Sequence, residues 1–246
     1  PMFIALGPLF AIIAVIFMYS LRTASLFAAR AGNYSSLLPF LAALICGSVG
    51  VIFPEILGLG VEPINELIAG NISNSKVMFL LIAKISMTAL CIGFGLFGGV
   101  FSPALFIGVA AGSLAAAVIS TFGYEGAEQV IIISGMAAVG ASVIGAPLSS
   151  VLIVLELTGS YDYAVAAMIA VIISTLVTYR IFGLSFFDRQ LLDRGVDMRL
   201  GRELIALGQR SVTICSQSDY VQLDSETTGD KAFKLMKEAG MVESYI

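Results

Sequence analysis

The chemistry legible in this chain begins at Gly98-Gly99-Val100-Phe101-Ser102-Pro103. A helix that starts near Pro103 leaves its first amides without intrahelical acceptors. Its aligned peptide dipoles add roughly half a positive charge at that end. The glycines upstream let the backbone come close to an ion, and Val100 and Phe101 would then offer it their N–H groups. No charged residue is near in sequence, so the arrangement suits an anion that sheds part of its water without being neutralised outright. A permeant ion needs such a site, because it must bind and leave. A proline–glycine kink of purely structural origin is the competing explanation of the same residues.

Other candidate groups are few. Glu156 lies in the apolar run Val151–Leu157, and an ionisable residue at membrane depth is a functional candidate by default. Thr158-Gly159-Ser160 and Asp162 follow it closely, so Glu156 reads either as a helix-end residue bonded to backbone amides or as a proton-handling group. Lys84 reads as an interfacial, snorkelling lysine. The absence of histidine removes imidazole-bound zinc and histidine acid–base catalysis. Cys46, Cys91 and Cys215 show no metal-ligand spacing and read as small core hydrophobes. No metal, cofactor or catalytic residue is expected.

The elements that must position these groups are apolar. The hydrophobic fraction is 58%, the charged fraction 12% and the mean hydropathy +0.98, which only a membrane protein accommodates. A net charge of −4 with no basic stripe excludes nucleic acid as a partner. Apolar segments fall at about Met2–Tyr19, Leu37–Leu59, Val77–Gly93, Ala104–Phe122, Gln129–Leu157 and Ala164–Phe182. Val77 to Ile119 holds one charge, Lys84, and is about twice the ~20 residues that cross a bilayer. It must break, and Gly98–Pro103 is where it breaks. The Gln129 segment is interrupted at Ser142–Pro147 and predicts two short helices, Gln129–Ala141 and Pro147–Leu157. Pro63–Ala69 predicts a short interfacial helix. Clusters of small residues, Ala110–Ser113 and Gly135–Ala141, allow close helix–helix approach. Interrupted backbone at membrane depth survives only inside protein or beside a water-filled cavity, as in the broken helices of transporters.

Nine of the thirteen Lys and Arg residues lie from Arg180 onward, which predicts a cytoplasmic tail, with the Arg22/Arg30 loop on the same side. Beyond about Gly195 the composition becomes that of a soluble segment. Ser211–Cys215 predicts a strand, and Thr228 caps a predicted amphipathic helix through Gly240. The start at Pro1 and the end in what reads as mid-domain predict a piece of a longer polypeptide.

Gly99-Val100-Phe101-Ser102-Pro103 resembles the GxFxP signature of the CLC family of chloride channels and chloride/proton antiporters. The likeness continues through Gly135-Met136-Ala137-Ala138 and Ala146–Thr158, and upstream through Pro1–Arg30 and Leu37–Pro54. The resemblance implies an all-α membrane protein, a CLC-like bundle of tilted and broken helices. Residues 1–195 would be the second of two inverted repeats with the final pore helix. Residues 196–246 would be a cytoplasmic linker and the truncated start of a small α/β, CBS-like domain. It further implies that Val100 and Phe101 donate amides to chloride, that Gly99, Ser102 and Pro103 shape that helix start, and that Phe187 stands where the family has a pore tyrosine. It implies a homodimer in the bilayer through Pro147–Leu157 and Ala164–Tyr179, which favours a structural role for Glu156. The family's gating and proton glutamates belong to the first repeat.

Three other readings remain at this level. The chain resembles a transporter more than an enzyme, but another inverted-repeat carrier for a small anionic solute fits the broken helices. An intramembrane enzyme using Glu156 and Asp162 would need both carboxylates in one cavity. A structural scaffold would have no affinity for halide near Phe101.

Overall fold

The computed structural model of the chain describes residues 2–31, 36–123, 126–193, 195 and 228–238. Among them the regular structure is helical: α1 (Met2–Arg30), α2 (Leu38–Ile52), α3 (Val61–Ile68), α4 (Asn74–Gly93), α5 (Phe101–Ser120), α6 (Glu128–Ile144), α7 (Pro147–Thr158), α8 (Tyr161–Phe182), α9 (Phe186–Asp193) and α10 (Gly229–Glu238). A 3-10 turn, Pro54–Ile56, joins α2 to α3. Four stretches are long and apolar enough to cross a membrane: Met2–Arg30, Asn74–Gly93, Phe101–Ser120 and Tyr161–Asp193. The protein is an integral, multi-pass membrane protein.

The chain divides into two compact units, Pro1–Arg194 and Gly195–Ile246. In the first, α5 and α6 form the centre, with α1, α4 and α8 packed around them. Phe10, Phe17 and Met18 of α1, Leu80 of α4, Phe106 and Ile107 of α5, and Ile131 and Val139 of α6 are all fully buried there. Small residues make this possible. At the α5–α6 crossing, a Cβ on Gly108 would stand 2.5 Å from the Gly135 carbonyl oxygen, and one on Gly112 2.6 Å from Ile132 Cα. Two backbones therefore meet with no side chain between them, which supplies dispersion contact where lipid removes the hydrophobic drive for association. Ser142 and Ser174 hydrogen-bond at 2.8 Å in the buried seam between α6 and α8, satisfying two hydroxyls out of reach of water.

The outer surface is apolar as well. Phe40, Leu44 and Val51 of α2, Leu148 and Leu152 of α7, and Ile172 and Leu176 of α8 are exposed. A surface of this kind is built for acyl chains or for another apolar partner.

The expected breaks occur, with shifted boundaries. The first helix runs on to Arg30, well past Tyr19, with Arg22 lying 3.7 Å from the Asp193 carboxylate. The long apolar run ends its first helix at Gly93 and begins the next at Phe101, two residues ahead of Pro103. Proline fits in this first turn because its missing N–H falls among the donors that have no helical acceptor. Gly145, at φ +82°, and Pro147 separate α6 from α7. In the second unit α10 covers Gly229–Glu238, with Lys231 and Ala232 donating to the Thr228 carbonyl. The expected strand at Ser211–Cys215 and the helix end at Gly240 lie outside the described residues.

Candidate anion-binding site

The start of α5 is an open helix end. The first amide of this turn with a backbone partner is that of Ala104, which donates to the Val100 carbonyl at 3.1 Å. Pro103 has no N–H. Among the described residues, the amides of Gly99, Val100, Phe101 and Ser102 meet no protein acceptor. Val100 is buried, Phe101 is 42% exposed, and Gly98 and Gly99 lie open, with no heavy atom within 4 Å of a Cβ built on Gly99. Unpaired donors, the positive dipole end and room for close approach thus coincide, which is what an anion without a neutralising partner requires.

Neighbouring elements hold this turn in place. The Ser102 hydroxyl donates to the Leu59 carbonyl at 2.6 Å, tying α5 to the loop that follows the 3-10 turn. The same loop is held from α4: Lys84 Nζ donates to the carbonyls of Ile56 at 2.8 Å and Gly58 at 3.2 Å. Its ammonium lies 5.0 Å from the Phe106 ring centroid, within cation–π range. Lys84 is only 2% exposed, so the expected snorkelling lysine is corrected. It sits midway along a 20-residue helix, about 15 Å from either end, too far for its stem to carry the charge to an interface. Gly98, Gly99, Ser102 and Pro103 share a cavity of about 310 Å³ with Lys84 and with Cys46 and Cys91, thiols distant in the sequence.

Phe187 lies in the second position of α9, 42% exposed, its ring edge-on to Phe186 at 5.6 Å. It does not line the cavity shared by Gly99, Ser102 and Pro103. The short helix that carries it is fixed at both ends. Ser185 caps it, its hydroxyl bonded to the Asp188 carboxylate at 2.8 Å and accepting the Asp188 amide at 3.2 Å. Asp193 at the far end lies 3.7 Å from Arg22 of α1 and 3.4 Å from Arg189.

Glu156 and Asp162 are both exposed, on α7 and α8, and neither lines the cavity at α5. Among the described residues no three His, Cys, Asp or Glu side chains are grouped so that they could hold a metal ion. A second cavity, about 450 Å³, is lined by Glu55, Glu62 and Glu66. Lys76 donates to Glu55 at 2.6 Å, and that hydrogen bond holds the Glu55 carboxyl below its ordinary range.

Two features escaped the sequence reading: the Lys84 tie and the capping of α9 by Ser185. Lys84 had a usable signal in its mid-helix position; the Ser-x-x-Asp spacing of Ser185 and Asp188 was another.

Residues 1–179 match the family model described as "Voltage gated chloride channel". The H(+)/Cl(-) exchange transporter ClcA of Vibrio parahaemolyticus is 30% identical over 201 residues, covering 78% of this chain and 42% of the relative. The protein of that name from Citrobacter koseri is 33% identical over 172 residues, covering 68% of this chain and 36% of the relative. The chain thus spans less than half the length of these relatives. Among solved structures, a slow cyanobacterial Cl-/H+ antiporter superposes with a TM-score of 0.71 at 24% identity, over 85% of this chain and 48% of that one, which shows the fold.

Proposed function

The chain belongs to the voltage gated chloride channel family, and from that premise we propose that it forms half of a pore that carries chloride and similar small anions across a membrane. Transport proceeds as a channel or as a chloride/proton exchanger. The anion is held by the backbone amides of Val100 and Phe101, with Gly99, Ser102 and Pro103 setting the shape of the turn. The observation that carries this reading is the run of amides from Gly99 to Ser102 without a protein acceptor, at the start of a helix in the membrane-spanning unit. Donors left unpaired away from water cost about 1–3 kcal/mol each. A partially dehydrated halide offsets that cost and benefits from the dipole.

Phe187 takes the place of a pore tyrosine in this reading. It packs on the pore without donating a hydroxyl hydrogen bond, which leaves the central site looser. The exposed apolar faces of α7 and α8 support a homodimer through Pro147–Leu157 and Ala164–Tyr179. Glu156, exposed on α7, then serves that surface rather than proton transfer. Residues 196–246 are assigned to the cytoplasm as a linker and the opening of a CBS-like domain, in keeping with the basic residues from Arg180 onward.

The test is halide binding to purified full-length protein by isothermal titration, with competition by bromide and nitrate. Chloride displaced by both ions but not by small organic acids is the expected result. Competition by organic acids would shift the reading to a carrier for another anionic solute, and absence of any halide binding would overturn it.

A further inference from the structure

The Ile56–Gly60 loop is gripped from two helices at once. From α4, Lys84 donates to Ile56 and Gly58; from α5, Ser102 donates to Leu59. Between these ties Gly60, at φ +73°, lies so close to α5 that an added Cβ would stand 2.8 Å from Phe106 Cδ2 and 3.7 Å from Lys84 Nζ. Phe106 also receives the ammonium on its ring face. Lys84 is 2% exposed, and no carboxylate pairs with it among the described residues. A charge removed from water without a counterion is costly unless dipoles replace its hydration. Here two carbonyls and an aromatic face do so. That cost is accepted at the centre of α4, beside the cavity that Gly98, Gly99, Ser102 and Pro103 line.

We propose that Lys84 is a positioning residue for anion recognition: by fixing the Ile56–Gly60 loop it holds Ser102, and through Ser102 it sets where the Val100 and Phe101 amides point. This inference rests on the proposed anion site at the start of α5. The path is short and continuous, running from Lys84 Nζ to the Ile56 and Gly58 carbonyls, along the chain to Leu59, and across to Ser102 Oγ. A loop held only by Ser102 pivots about a single hydrogen bond; the two bonds from Lys84 make it a fixed abutment. Amide donors must be aimed to within tenths of an ångström to replace ion hydration, so loosening the abutment weakens anion binding without touching the donors themselves.

The test is a double-mutant cycle on full-length protein, with chloride affinity read by isothermal titration and the chloride-to-nitrate permeability ratio read in liposomes. Lys84→Met is expected to weaken chloride binding by about tenfold and flatten the permeability ratio. Lys84→Arg, which can still reach a carbonyl, should recover to within about threefold of wild type. Ser102→Ala cuts the other tie and should weaken binding by about threefold. The double variant should be no weaker than Lys84→Met, since both act on one path. If Lys84→Met does not fold, Lys84→Gln, whose side chain is too short to reach both carbonyls, forms the cycle with Ser102→Ala, and coupling between them is the expected result. Wild-type affinity and selectivity in folded Lys84→Met, or losses that multiply independently in either cycle, would overturn the proposal. Failure of the wild-type protein to bind chloride would instead overturn the site on which it rests.

Discussion

Gly108 of α5 and Gly135 of α6 face each other backbone to backbone: a Cβ on either would stand 2.5 or 2.6 Å from the other's carbonyl oxygen. This crossing lies two turns below the open end of α5, so it fixes the axis along which that end points. Phe10 of α1 closes the same contact, 3.0 Å from a Cβ on Gly135. An alanine at either position must push two helices apart. Gly108→Ala and Gly135→Ala are each expected to destabilise the protein by about 1 to 3 kcal/mol, as overpacking does elsewhere. Thermal denaturation in detergent measures this, and wild-type midpoints for both variants would deny the contact.

Phe101 occupies the first helical position of α5, a place where proline's fixed φ suits the helix. Phe101→Pro should therefore keep the helix while deleting one amide donor. The residue before a proline is pushed away from helical geometry, and here that residue is Val100, at φ −84° and ψ −18°, so the substitution also turns the neighbouring amide donor. Chloride selectivity is expected to be lost in liposome flux assays, with helicity by circular dichroism unchanged. Normal selectivity would refute a donor role for this amide.

Phe187→Tyr adds a hydroxyl to a half-exposed ring on a helix fixed at both ends. A new hydrogen bond to an anion is worth about 1 kcal/mol, or roughly fivefold in affinity. Titration calorimetry with chloride reads the gain, and equal or weaker binding would place Phe187 away from the ion.

Glu55 bonded to Lys76 gives a pH signature outside the spans. The Lys76 hydrogen bond lowers the Glu55 pKa below its usual value of 4.5. A depressed folded-state pKa contributes stability that is fully present above the unfolded value and is lost as pH falls through the folded one. The melting temperature of the wild type should therefore drop more steeply below about pH 4.5 than that of Glu55→Gln. Parallel melting curves for the two proteins across that window would remove the pair from the account.

Much of the helical layout was legible because its causes are local. Gly145 and Pro147 end one helix and begin another through their own backbone preferences, and no distant residue is needed to say so. The break between Gly93 and Phe101 was legible for the same reason, though its edge fell two residues ahead of Pro103. Lys84 was misread because the sequence alone does not say whether a mid-span charge meets lipid, water or carbonyls. The carbonyls that receive it come from a loop some two dozen residues earlier, whose return to α4 depends on how α2 and α3 pack.

By itself the sequence determined the membrane class, the placing of most helices and the interrupted turn at Gly99–Pro103, since hydropathy, glycine and proline act within a few residues. The tertiary structure alone decided what surrounds that turn. It joined Ser102 to Leu59, brought Lys84 against Ile56 and Gly58, and set Cys46 and Cys91 on one cavity wall. These are meetings between distant parts of the chain, fixed by which helix faces cross. In a bilayer that choice falls to small residues such as Gly108 and Gly135, whose close approach is expressed only once both helices are in place.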